Sequence, residues 1–301
     1  MRTAMFLLFS LLLTSCSGGS TRTVRPGEKL VVMASTTHLA ALAMAVAGES
    51  ATVQLLPREG TDPHSFEATA EDRRRLEGAH LLLINGLKLE TFDAAKLAAA
   101  AGITLVDCSA QIPKSFLIAS GGDLHDHGHD HGEQDPHVWL SCEGAAFQAQ
   151  AMARAMASLD SSNSEGYLKR ASEFQARVLK LRDESKARLA TLPDRSFVTD
   201  HDAFAYFARE FELKNLGFLR KLPGKEPTLE ERRSLEAAIR KSGAKAIFTE
   251  PGHDPAASET LARSLGVKLA QLDPFEIGKP SATAYEETMR KNLQAVLEAL
   301  K

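Results

Sequence analysis

Four short apolar runs, KLVVMAS, ATVQLLP, HLLLIN and ITLVDC, follow one another in the first third of the chain, each separated from the next by an amphipathic stretch or a turn. Runs of this length, rich in aliphatic and β-branched residues, read as strands buried on both faces of a parallel sheet. A second set, SFVTD, LKNLGF, AKAIFTE and VKLAQLD, begins after residue 195 and is interleaved with helical segments at Thr228 to Ser242 and Pro255 to Leu265. The pattern predicts an α/β protein made of two (β/α) lobes, each with a mostly parallel four-stranded sheet.

Between the two sets, Tyr167, Ala171, Phe174, Val178, Leu181, Leu189 and Leu192 recur at three-and-four spacing through a charged background, with Pro193 as the stop. The spacing predicts one helix from Tyr167 to Leu192, about 39 Å long at 1.5 Å per residue, which is enough to join the lobes rigidly. A surface helix of one lobe satisfies the same spacing. The expected division is an N-terminal α/β lobe over 29–160 with a His-rich loop at 121–134, a linking helix over 161–193, and a C-terminal α/β lobe over 194–301.

The first residues, MRTAMFLLFSLLLTSC, place a basic Arg2 before an apolar run from Met5 to Leu13 that is too short to span a bilayer. Residues 1–15 therefore read as an export signal peptide. The run ends in Leu-Thr-Ser-Cys, which resembles the bacterial lipobox and implies lipidation of Cys16. The Gly/Ser-rich residues 16–28 then read as a flexible lipid tether. The expected location is exported and lipid-anchored, on a periplasm-facing membrane or the cell surface.

Cleavage before Cys16 leaves 286 of the 301 residues and takes the formal net charge from −3 to −4. With no basic patch or aromatic-interleaved basic stripe, nucleic acid is not an expected partner. Beyond Cys16 only Cys108 and Cys142 remain. They can form a disulfide in an oxidising compartment, but their spacing does not suit a structural zinc site.

Half of the ten histidines fall in one stretch, GGDLHDHGHDHGEQDPHVW. His125, His127, His129 and His131 lie in a Gly/Asp-rich run without an apolar anchor, whereas His137 sits in a stiff Asp-Pro-His junction. His64 in GTDPHSFE, His137 and His201 in VTDHDAF all stand where strands run into loops, and Asp273 in AQLDPF stands at the end of the last strand. Ligands of open α/β sheets bind beyond the carboxyl ends of strands, so these four can converge. Asp62, Asp135 and Asp200 can either orient the imidazoles or cap the turns. Taken singly, each histidine also fits a hydrogen-bonded turn residue. His80 reads as a strand residue, His38 as an early-helix residue, and His253 as a residue that can face the cleft.

The segments VQLLPREGTDPHSFEATAEDRRRLEGAHLLLINGLKLE, DPHVWL, TDHDAFAYFAREFEL, IFTEPGHDPAASETLARSLGVKL and LDPF resemble the metal-binding lipoproteins of bacterial zinc and manganese ABC importers, the cluster A-I substrate-binding proteins. The resemblance spans nearly the whole mature chain. It implies two α/β lobes joined by a long helix, a metal between them, and His64, His137, His201 and Asp273 as its ligands. It also implies histidine at position 201 in zinc-type members and glutamate in manganese-type members. Three imidazoles with one carboxylate suit Zn²⁺, since Mn²⁺ favours oxygen donors. The His-rich loop, frequent in zinc-type members, is expected to offer accessory metal sites.

The resulting expectation is a monomeric, non-enzymatic zinc-binding protein that delivers Zn²⁺ to an ABC permease and its separate ATPase subunit. A manganese- or iron-binding member of the same family is the nearest alternative. A zinc hydrolase lacks support, because no His-Glu-x-x-His or Gly-x-Ser-x-Gly motif is present. A zinc-containing surface adhesin gains none from the sequence.

Overall fold

The computed structural model describes residues 22–25, 27–120, 134–220 and 228–301. The export signal, Cys16, most of the tether and the four loop histidines His125, His127, His129 and His131 lie outside them.

The N-terminal lobe contains strands β1 (Leu30–Ala34), β2 (Ala51–Leu55), β3 (Leu81–Ile84) and β4 (Thr104–Asp107), with helices α1 (Thr37–Ala47), α2 (Ala70–Leu76) and α3 (Ala94–Ala101) between them. Helices α4 (Cys142–Leu159) and α5 (Ser164–Leu189) lead to the C-terminal lobe. There β5 (Ser196–His201), β6 (Lys214–Arg220), β7 (Ala246–Thr249) and β8 (Lys268–Gln271) alternate with α6 (Ala205–Glu210), α7 (Leu229–Ser242) and α8 (Ala256–Leu265), and α9 (Ala284–Ala299) closes the chain.

The two four-stranded sheets have orders β2-β1-β3-β4 and β6-β5-β7-β8, and all their pairings are parallel. Alternate residues of each central strand feed opposite sides. Val32 and Ala34 enter one core while Met33 enters another, and Phe197 and Val198 divide in the same way. Burial on both faces explains why these strands are continuous apolar runs instead of alternating ones.

One apolar cluster passes through both lobes. It takes in Val32 and Leu83 from the first sheet, Phe197 and Phe248 from the second, and Trp139, Tyr167, Phe174, Tyr285 and Leu293 between them. Helix α5 supplies its spine, burying Tyr167, Ala171, Phe174, Val178, Leu181, Ser185 and Leu189. The helix starts three residues earlier than the apolar spacing predicts and ends three residues earlier. Leu192 remains buried but lies in the following turn, where the Thr191 hydroxyl donates to the Arg188 carbonyl ahead of Pro193.

Local signals place the other helices. Thr228 and Glu231 form a reciprocal capping box at the start of α7, and Gly243 ends it in the left-handed conformation. Cys108 and Cys142 do not form the disulfide that an oxidising compartment would permit. Both are free and buried in the shared apolar cluster, and burial, the largest influence, pushes both thiols well above their usual range.

Candidate metal centre

His64 lies on the loop after β2, His137 just before a short 3-10 turn at Val138–Leu140, and His201 on the last residue of β5. Glu276 follows β8. These four form the one group among the described residues in which at least three such donors could hold an ion, and their ligand atoms lie within 4.8 Å of one another. His64 Nε2 is 3.1 Å from Glu276 Oε1, His137 Nε2 is 3.4 Å from it, and His201 Nε2 is 3.8 Å from it. His64 Nε2 and His137 Nε2 are 3.4 Å apart. Each lobe supplies two of the four.

The structure brings together the three histidines that the sequence singles out, but the carboxylate beside them is Glu276. This corrects the expectation for Asp273, whose Oδ1 accepts the backbone N–H of Phe275 at 2.8 Å and so folds the turn back on itself. Asp273 lies outside the four-donor group. The residue three positions downstream reaches the imidazoles because the chain reverses through Phe275, at φ 59°.

The aspartates preceding the histidines have different roles. Asp62 Oδ1 accepts the backbone N–H of His64 at 2.8 Å and caps the turn. Asp135 Oδ1 accepts both the backbone N–H of His137 at 2.9 Å and its ring Nδ1–H at 2.7 Å. Asp200, next to His201, instead accepts from the Ser258 hydroxyl and faces Arg220. The carboxylate on the His201 ring is Glu250, at the end of β7, which accepts Nδ1–H with Oε2 at 2.7 Å. With Nδ1 committed on both rings, Nε2 is the nitrogen each presents to an ion. His201 Nε2 is fully buried with no hydrogen-bond partner.

Burial disfavours charge on His137, yet Asp135 and Glu276 outweigh it and hold the ring's pKa up at about 10. His201 is likewise raised, against its burial, by Glu250 and Glu276. Burial would raise Glu276, but His64, His201 and His137 hold it well below the usual carboxylate range. In the absence of metal, protons on the imidazoles therefore balance Glu276 and Glu250.

A scaffold of inter-lobe hydrogen bonds surrounds this group. Trp139 Nε1 donates to the Pro274 carbonyl at 2.7 Å, and the Tyr285 hydroxyl donates to the carbonyls of Trp139 and Ser141 at 2.9 and 3.1 Å. The Tyr206 hydroxyl accepts from Ile118 N and donates to the Asp135 carbonyl, each at 2.9 Å. His38 is the partner of the indole, stacked at 3.7 Å with rings 10° apart, and burial lowers its pKa to about 3. His80 accepts the backbone N–H of Val31 just before β3. His253 stands 3.4 Å from Glu250 and does not belong to the four.

Sequence reasoning missed Glu276 and Glu250. A local cue existed for the first, in the acidic residue of Asp-Pro-Phe-Glu. Glu250 lies 49 residues from His201 and meets it only through the pairing of β5 with β7.

The family described as ZnuA, zinc-uptake complex component A periplasmic, matches residues 32–299. The manganese ABC transporter substrate-binding lipoprotein PsaA of Streptococcus mitis is 26% identical over 307 residues, covering 98% of this chain and 97% of its own length. Among solved structures, the Zn(II)-bound form of an AdcAII mutant variant from Streptococcus pneumoniae aligns with a TM-score of 0.80 at 27% identity, covering 92% of this chain and 100% of that one. The FpvC substrate-binding protein of Pseudomonas aeruginosa in complex with Mn²⁺ aligns with a TM-score of 0.78 at 28% identity, covering 91% and 98%.

Proposed function

Because the chain belongs to the family of zinc-uptake complex component A proteins, which are metal-binding components of ABC importers and not enzymes, we propose that its cargo is Zn²⁺, held by His64, His137, His201 and Glu276. The donor spacing carries this reading. With bonds of about 2.0–2.1 Å, the donors of a tetrahedral zinc ion stand roughly 3.4 Å apart. The three imidazole–Glu276 separations and that between His64 and His137, from 3.1 to 3.8 Å, bracket that edge, and all four donors lie within 4.8 Å of one another. Three borderline-soft nitrogens with a single carboxylate favour zinc over manganese, which seeks more oxygen donors.

The site serves capture and release. Two imidazoles are oriented by carboxylates, so little ordering remains to be done on binding, and proton transfer back to the rings offsets the loss of the cation on release. Delivery goes to a permease energised by a separate ATPase subunit.

The remaining features complete the proposal. Residues 1–15 direct export, Cys16 carries the lipid, and residues 16–28 tether a monomeric chain to the membrane. His125, His127, His129 and His131 gather zinc for the site through weak, exchangeable contacts.

The test is metal competition on tag-free protein. One equivalent of zinc should be retained in the presence of excess manganese, and His64→Ala should abolish that retention. Preference for manganese would overturn the zinc assignment while leaving the family membership intact.

A further inference from the structure

Asp-Pro occurs four times in the sequence, at 62–63, 135–136, 254–255 and 273–274. At each, the aspartate Oδ1 accepts the backbone N–H two residues on, at 2.8 Å for His64, 2.9 Å for His137, 3.0 Å for Ala256 and 2.8 Å for Phe275. The proline fixes φ and the carboxylate closes the turn, so the pair acts as a local positioning device. At 254 the device starts α8 and serves no metal. At 62 and 135 it presents the next residue, a histidine, to the centre.

At 273 the device meets a different requirement. Phe275 must adopt φ 59°, a left-handed conformation that a side chain resists, and its ring is buried in the shared core. Only this reversal delivers Glu276 to the imidazoles. Buried Asn292 of α9 clasps the start of the turn, accepting the Asp273 backbone N–H at 2.9 Å and donating to the Asp273 carbonyl at 2.8 Å. Trp139 holds the next carbonyl, that of Pro274.

Resting on the reading of the four donors as a metal centre, we infer that Asp273 and Asn292 are positioning residues: they hold the left-handed turn at Phe275 and thereby set Glu276 at bonding distance from the ion. Asp273 does this through the Phe275 amide, without contacting the metal.

Asparagine caps the same turn as aspartate, whereas alanine cannot. Asp273→Ala and Asn292→Ala should therefore weaken zinc binding about tenfold, the effect expected from losing buried hydrogen bonds that hold a ligand, while Asp273→Asn stays within about threefold of wild type. Co²⁺ supplies a readout that a merely structural role would not move. The wild-type Co²⁺ form should show the strong visible absorption of a four-coordinate site. Asp273→Ala and Asn292→Ala, at temperatures where both are folded, should show the weaker absorption of a five- or six-coordinate site that has lost the carboxylate and taken up more than one water, and Asp273→Asn should keep the strong four-coordinate spectrum.

Equal losses in Asp273→Asn and Asp273→Ala would make Asp273 a ligand and overturn the inference. A lowered melting temperature with unchanged Co²⁺ absorption and affinity would make the clasp merely structural and also overturn it. Failure of the wild type to bind zinc, or full affinity in Glu276→Gln, would instead overturn the metal-site reading on which the inference rests.

Discussion

Trp139 Nε1 donates to the Pro274 carbonyl at 2.7 Å, which ties the segment bearing His137 to the segment bearing Glu276 across the two lobes. Trp139 is the sole tryptophan in the chain, and its ring lies 5.2 Å from that of His137. Intrinsic fluorescence should therefore change on zinc addition and saturate at one equivalent for the tight site. Trp139→Phe keeps an aromatic ring but removes the indole N–H and strands a buried carbonyl, so it should lower stability by about 1–3 kcal/mol and speed zinc dissociation. Unaltered dissociation in stopped-flow chelation would show that this strut does not govern release.

Glu250 should matter more to zinc than Asp200, although Asp200 is the sequence neighbour of His201. Glu250→Gln removes the charge that fixes the His201 tautomer and should weaken zinc about 10–100-fold, the range found when such outer carboxylates are lost. Asp200→Asn, which unpairs buried Arg220 from its carboxylate, should lower thermal stability with a smaller effect on zinc. Calorimetric titration of both variants decides the order.

Zinc binding should release protons at neutral pH. His137 in the metal-free protein keeps its proton up to about 10, so below that pH the ion must displace it, and affinity should fall as pH falls. His201 is raised in the same direction. Calorimetry at pH 7.5 in buffers of different ionisation enthalpy should give a buffer-dependent heat equivalent to at least one proton per zinc. Asp135→Asn removes the largest influence that raises His137 and should reduce that release. A heat independent of buffer would contradict the charge state derived for the site.

Deleting Leu124 to Gly132 should leave the tight site in place. The segment is flanked by the bridge between Ala119 and Gln134 and by the bond from Asp135 N to the Ile118 carbonyl, so its stem closes before His137 is reached. Only additional, weaker zinc equivalents should disappear from the titration. Loss of the tight equivalent would mean that the loop supplies a primary donor.

The fold was largely legible in the sequence because two-sided burial writes the central strands β1, β3, β5 and β7 as unbroken apolar runs, whereas the edge strands β2 and β8 are partly exposed, and because α5 buries one stripe through a charged background. Helix α4 was not, since its buried face is built largely from Ala145, Ala149 and Ala153, which leave little hydrophobic period to detect. His64 and His137 were legible as histidines stiffened by a preceding proline, although both lie well beyond the strands they follow, and His201 was legible as a histidine at a strand end. Their partners were less so. Asp273 stood out as the carboxylate at the end of the last strand, although the Asp-Pro pairs at 62 and 135 already place the functional residue downstream of the aspartate, where Glu276 also lies. Glu250 had no local signal, because parallel pairing of β5 and β7 creates its contact with His201 from distant segments.

Zinc K-edge X-ray absorption on tag-free protein lacking residues 124–132 and loaded with one equivalent tests the central claim most directly. Three imidazole nitrogens and one carboxylate oxygen predict a four-coordinate shell at about 2.0–2.1 Å with imidazole outer-shell scattering from three rings. The Glu276→Gln form should alter that shell while the Asp273→Asn form preserves it. A six-coordinate oxygen-rich shell, or fewer than three imidazoles in the wild type, would contradict the assignment of His64, His137, His201 and Glu276 as the zinc site.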